Sequence, residues 1–140
     1  MIQRIQTIWL ILAAVAAFFT LKLSFFSGNM IGADQTTKTF QHLTATSSVI
    51  LLIFTIGVGA AALLSIFLFK NRKLQMRVTL AAMLISLLNI ILYYNQTRLF
   101  AEGNYDLTAL VALSVPVFLI LATRGIYRDQ KLVKSLDRLR

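Results

Sequence analysis

The stretch Val49 to Phe69, VILLIFTIGVGAAALLSIFLF, carries no charge and is followed at once by KNRKLQMR, Lys70 to Arg77. At 1.5 Å per residue a helix over the apolar part reaches about 32 Å, the thickness of a bilayer's hydrocarbon core. The basic block behind it has the composition of a cytoplasmic loop. Reading outward, a second apolar run follows from Val78 to Gln96 and a third, shorter one from Leu107 to Thr123. Toward the N-terminus lies a fourth, Ile8 to Phe26. The pattern predicts an all-α, integral membrane four-helix bundle over residues 1–124, followed by a basic amphipathic tail helix over 125–140.

Composition agrees with this reading. Of 140 residues 58% are hydrophobic and 14% charged, with one proline and no cysteine; a soluble domain carries about 25% charged residues. Four apolar helices in a chain this short leave too little polar surface to cover them in water. Thiol chemistry and disulfides are excluded. The net charge of +9 suggests nucleic acid only if it sits on a soluble surface; here the cations border apolar runs, and no nucleic-acid partner is expected. Arg4 ahead of an apolar run resembles a secretory signal, but the run continues through Phe25 and Phe26 without an earlier small-residue cleavage site. The expectation is a retained anchor helix; cleavage would leave three spans and an outside N-terminus.

The charges orient the chain. Arg4, the 70–77 loop and the tail from Arg124 hold eleven Lys and Arg against Asp129 and Asp137, whereas Lys22, Lys38 and Arg98 face Asp34, Glu102 and Asp106 on the other side. By the positive-inside rule both termini and the 70–77 loop are expected in the cytoplasm. Short links make the second and third spans, and the third and fourth, antiparallel neighbours. The Thr- and Ser-rich segment 27–48 is expected as an outer loop, with Phe40 and Leu43 reaching the interface. Arg98, Glu102 and Asp106, spaced by four, suggest an exposed ladder if their loop is helical.

Lipid supplies no hydrophobic drive between helices, so small residues that admit close approach mark contacts. Ala13 and Ala17 on the first span, and Gly57 and Ala61 on the second, are the candidate packing faces. Gly57 and Gly59 also admit a hinge reading. Asn89 is the deepest strongly polar group; with Ser86 and Tyr93 it forms a stripe that is either an internal hydrogen-bonding seam or a contact face for another subunit. Pro116 removes a backbone donor and should kink the fourth span, freeing a carbonyl near Ala112. The result is either a shaped packing surface or room for a lipid. Lys22, within the first span near its outer end, either snorkels to the headgroups or pairs with an acid.

His42 has no ligand partners, and neither a metal nor another cofactor is expected. The pattern Asn95, Gln96, Thr97 matches a glycan acceptor but carries no assignment. No nucleophile with a base, and no carboxylate pair, can be assembled, so an enzyme is the weakest reading. In the tail, Leu132, Leu136 and Leu139 share a helical face ringed by Arg128, Lys131, Lys134, Arg138 and Arg140. Three readings stand: a helix lying on anionic headgroups, a solvated continuation of the fourth span, or a docking element. Arg4 and Lys22 join these basic residues as candidate headgroup or partner contacts.

The opening MIQRIQTIWL, Met1 to Leu10, followed by four spans with a long first outer loop, resembles a membrane-protein family of Bacteroidetes, domain of unknown function 4293. The resemblance covers the whole chain and implies a multi-pass protein of the bacterial inner membrane; no activity or site residue comes with it. The expected function is a non-catalytic accessory or structural subunit of an inner-membrane complex, with lipids and other membrane subunits, or further copies, as partners. The alternative is an oligomeric small-molecule or lipid transporter or channel.

Overall fold

The computed structural model describes residues 2–31 and 37–137. Asp34, Arg138 and Arg140, and the side chains of Arg4 and Leu136, lie outside the described residues.

Four helices are present: α1 (Ile2–Phe19), α2 (Val49–Phe67), α3 (Arg72–Thr97) and α4 (Ala109–Asp137). Three helical stretches, Val49–Lys70, Arg72–Thr97 and Ala109–Ser135, are long and apolar enough to cross a membrane; the apolar part of α1, Ile5–Phe19, is shorter. Around the bundle α1 packs on α2, α2 on α3, α3 on α4, and α4 back on α1. Each neighbour runs antiparallel to the last, the up-down-up-down ring that short connections favour. Asn71 starts α3 by accepting the Leu74 N–H on its side chain, which satisfies one of the first-turn donors.

The contact layer is built from small residues. Ala13, Ala17, Ala62, Ala82 and Ala122 are buried together with Leu10, Val58, Val115 and Leu119. Burial follows alternating steps of four and three: Leu51, Thr55, Val58, Ala62 and Ser65 on α2, and Gln75, Thr79, Ala82, Ser86, Asn89 and Tyr93 on α3. This is the spacing of helices that pack at a shallow crossing angle. The outside is the apolar side: Ile8, Ile53, Leu64, Leu84, Leu88, Ile91, Leu110 and Val117 are all exposed. A monomeric soluble protein rarely exposes an apolar patch larger than about 600 Å². A continuous apolar belt over long helices is the surface of a membrane-associated protein.

The chain is mostly helical, but the all-α expectation is corrected. Strands β1 (Phe26–Ile31), β2 (Lys38–Leu43) and β3 (Phe100–Tyr105) form a three-stranded antiparallel sheet ordered β2-β1-β3. It caps the end of the bundle where α1 finishes and α2 and α4 begin. Two sequence-distant loops are thereby tied together, with Ser27 opposite Asn104 and Gly28 opposite Gly103. Under the sheet Phe25, Phe26, Leu43, Leu51 and Tyr93 make a second core, in which Phe26 meets Phe100 and Tyr105 edge-on at 5.2 and 5.1 Å.

Three further expectations change with it. α1 stops at Phe19 rather than Phe26, because the chain turns through Thr20, Leu21 and Lys22, whose N–H groups donate back to Ala16, Phe18 and Phe19. Lys22 therefore stands exposed in that turn and not within a span. Arg98, Glu102 and Asp106 form no ladder, since Glu102 lies in a strand and pairs with Lys38 at 3.2 Å. Among the described residues the tail is no separate helix: α4 runs unbroken from Ala109 to Asp137. An ion pair between Arg72 and Asp129 at 3.3 Å clips that continuation to the start of α3.

Candidate functional site

The polar groups of the bundle interior lie along the α2–α3 and α1–α4 contacts. At one end the Gln75 side-chain amide donates to the Ser65 carbonyl at 2.8 Å. The Thr79 hydroxyl has one proton for two acceptors, the Gln75 carbonyl at 2.9 Å and Ser65 Oγ at 3.2 Å. At the same end of the bundle the Gln6 amide donates to the Gly125 carbonyl at 2.8 Å. A Cβ on residue 125 would stand 2.8 Å from Gln6 Cγ, so the glycine is what lets the glutamine lie flat across α4. Helix backbones thus supply acceptors to side chains of the facing helix, an arrangement in which no amide is left to lipid.

Midway along, Asn89 on α3 donates its amide to Thr55 Oγ1 on α2 at 3.0 Å. Ser86 turns its hydroxyl onto its own helix, donating to the Met83 carbonyl at 2.7 Å. Tyr93, one turn beyond Asn89, is 1% exposed and stacks on Phe25 at 4.7 Å. Ser86, Asn89 and Tyr93 thus come together, buried, inside the bundle. A cavity of about 20 Å³ sits here, with Asn89, Tyr93, Thr20, Thr55 and Ala112 in its wall. Pro116 is buried inside α4 one turn from Ala112.

At the sheet end, Ser27 donates to the Asp106 carboxylate at 2.6 Å, Thr108 donates to the Ser24 carbonyl, and the Asp106 N–H donates to the Phe25 carbonyl at 3.2 Å. Desolvation acts to raise the Asp106 pKa, but the Ser24 and Ser27 hydroxyls and the positive charge of His42 outweigh it, and the carboxyl titrates below its ordinary value. A depressed carboxyl contributes stability that is complete above its unfolded-state value of about 3.9 and is lost as pH falls through the folded value. The protection factors of the β1 and β3 amides against hydrogen exchange should therefore fall below about pH 4, and Ser27→Ala should reduce that pH dependence. Equal pH dependence in the variant would disconnect Asp106 from the sheet.

The candidate packing residues divide. Ala13 and Ala17 are 0% and 2% exposed, and Ala61 packs at the edge of the core. Gly57 faces outward, with nothing within 4 Å of a Cβ built on it. The close contact is made instead by Gly59, whose Cβ would stand 2.8 Å from the Phe18 ring. The reason is phase: Thr55, Val58 and Ala62 set the buried face of α2, and residue 57 falls opposite it. Arg128, Lys131 and Lys134 are exposed along the end of α4.

Thr55, Gln75 and Thr79, which complete the polar seam with Gln6 and Ser65, were not candidates from sequence. Their signal was the four-three spacing of polar and small residues through α2 and α3. Among the described residues no group of three His, Asp or Glu is placed to hold a metal.

A family model described as domain of unknown function DUF4293 matches residues 2–139. No curated protein and no solved structure matches the chain.

Proposed function

The chain belongs to the DUF4293 family, and on that premise we propose that it is a four-pass protein of the bacterial inner membrane serving as a non-catalytic accessory or structural subunit of a larger complex. Both termini lie in the cytoplasm in this reading, which the Lys and Arg distribution supports. The observation that carries it is α4. Ala109 to Asp137 is 29 residues, about 43 Å of helix against a hydrocarbon core of about 30 Å, so its last turns project beyond the lipid. Those turns expose Arg128, Lys131 and Lys134 beside Tyr127, Leu132 and Val133. A mixed basic and apolar helix end, clipped in place by the Arg72–Asp129 pair, suits an acidic membrane-proximal partner.

Photocrosslinking from positions 127, 131 and 134 in intact membranes, followed by mass spectrometry, tests this. A stoichiometric membrane-protein partner at these positions is the expected result, and the yield from position 127 should fall several-fold in Lys131→Glu/Lys134→Glu. Adducts to lipid alone, or to further copies of the chain alone, would overturn it.

The second reading is an oligomeric transporter or channel for a lipid or small molecule. It draws on an open groove of about 430 Å³ between α3 and α4, lined by Met76, Leu80, Met83 and Ile120, with Arg124 and Tyr127 at its mouth. An acyl chain fits such a wall and a phosphate suits the arginine. Flux or lipid scrambling in proteoliposomes, lost on Arg124→Glu, would favour this reading over the first.

A further inference from the structure

The seam through the bundle is satisfied by protein partners except at one level. Asn89 Oδ1 and the Tyr93 hydroxyl are buried, and neither makes a hydrogen bond of ordinary geometry; the Thr20 and Thr55 hydroxyls lie beside Tyr93, but Thr20 donates to the Ala17 carbonyl and Thr55 accepts from Asn89. Exchanging the oxygen and nitrogen of the Asn89 amide would not mend this, because Thr55 engages only one of the two atoms. Pro116 has no N–H, so the carbonyl four residues earlier, on Ala112, lacks its helical donor, and Ala112 lines the cavity that Asn89 and Tyr93 also line.

A polar group left bare in an apolar interior forfeits the hydrogen bonds it made in water, and two at one level call for a shared partner. The space among them is about 20 Å³, whereas a water needs about 10–15 Å³ on the same measure and makes about three hydrogen bonds when buried. Size excludes any larger ligand, and no charged side chain lines the cavity to hold an ion.

We infer that this cavity is a binding site for a single water molecule, which joins α3 to α4 by donating to Asn89 Oδ1 and the Ala112 carbonyl and accepting from the Tyr93 hydroxyl. The water uses both of its protons and one lone pair, and leaves none of the three groups bare. It also accounts for proline in the middle of a long apolar helix: the carbonyl that Pro116 releases is taken up by solvent fixed on the neighbouring helix, as membrane helices require. The site depends on the bundle's own geometry and not on any partner, so it stands or falls separately from the function proposed above.

Water-edited solid-state NMR on the full-length protein in lipid bilayers, with Asn, Tyr and Ala labelled, reads the site directly. Magnetisation from water should reach the Asn89 side chain and the Tyr93 ring early in the mixing time, while the methyl groups of Ala62 and Ala82, buried in the same bundle, stay dark. An Asn89 side chain as dark as Ala62 would overturn the inference. Tyr93→Phe removes one of the three partners and should abolish early transfer to Asn89. Pro116→Ala, which restores the donor to Ala112 and is the milder change for folding, should weaken it. Undiminished transfer in Pro116→Ala would show that the water does not reach α4, and the bridge would be refuted.

Discussion

Gly103→Val is expected to detach β3 from β1 while leaving the four helices assembled. Gly28 and Gly103 stand opposite each other in the sheet, and neither has room for a side chain. A Cβ on residue 103 would lie 2.6 Å from the Ser27 carbonyl oxygen and 2.9 Å from Gly28 Cα; one on residue 28 would lie 2.2 Å from the Glu102 carbonyl oxygen. The Phe26 ring stands as near to residue 103 and can turn aside, but the backbone obstacles cannot, so the strands must part. Overpacking a core costs about 1–3 kcal/mol when side chains can shift; here the effect should reach or pass the upper end. Hydrogen exchange should show the amides of β1 and β3 losing protection, with those of α2 and α3 retained. Two comparisons fix the cause. Gly57→Ala meets open space and should gain about 0.5–1 kcal/mol from helix propensity, whereas Gly59→Ala meets only the tip of Phe18 and should cost little. Retained protection of β1 in Gly103→Val would mean that the close approach does not hold the sheet.

The same pair of glycines explains why the sheet was not legible in the sequence. FSGNMI and FAEGNY, Phe26 to Ile31 and Phe100 to Tyr105, lack the alternation and β-branched content that mark a strand. They are held by a pairing across more than seventy residues and by rings packed beneath them, and neither is visible in a local window. The helices were legible because membrane length and the absence of charge act within a window of about 20 residues. The end of α1 was not, since Leu21, Leu23, Phe25 and Phe26 carry the apolar run on past Lys22, and the turn at Thr20 to Lys22 that ends the helix contains no glycine or proline to mark it. Asn89 stood out by polarity alone, and Ser86 and Tyr93 followed from its phase. Gln75 and Thr79 share that phase but sit beside the basic 70–77 loop, where polar residues look unremarkable. Gly57 and Ala61 have the spacing of four that marks a packing face, but the phase of α2 is set by Thr55 and Val58, and it turns Gly57 outward.

Tyr93→Ala is expected to be the most damaging truncation in the interior, because this ring is where the two cores meet. It stacks on Phe25 under the sheet and stands one turn from Asn89 in the polar seam. Removing a buried aromatic ring costs about 3–5 kcal/mol in protein cores; in a bilayer the lost contacts remain lost, because dispersion and fit are what hold the helices. Unfolding of the reconstituted protein by steric trapping or in mixed micelles should register a loss on the order of 3 kcal/mol. Two substitutions separate the ring's contribution from the rest. Tyr93→Phe keeps the stack and removes the hydroxyl, so it should cost about 1 kcal/mol, the size of one net hydrogen bond. Tyr94→Ala, whose residue is 51% exposed and whose ring lies under Arg98 at 5.5 Å, should cost less than about 1 kcal/mol. If Tyr93→Ala were no worse than Tyr94→Ala, the stack on Phe25 would not be what joins the outer sheet to the helices.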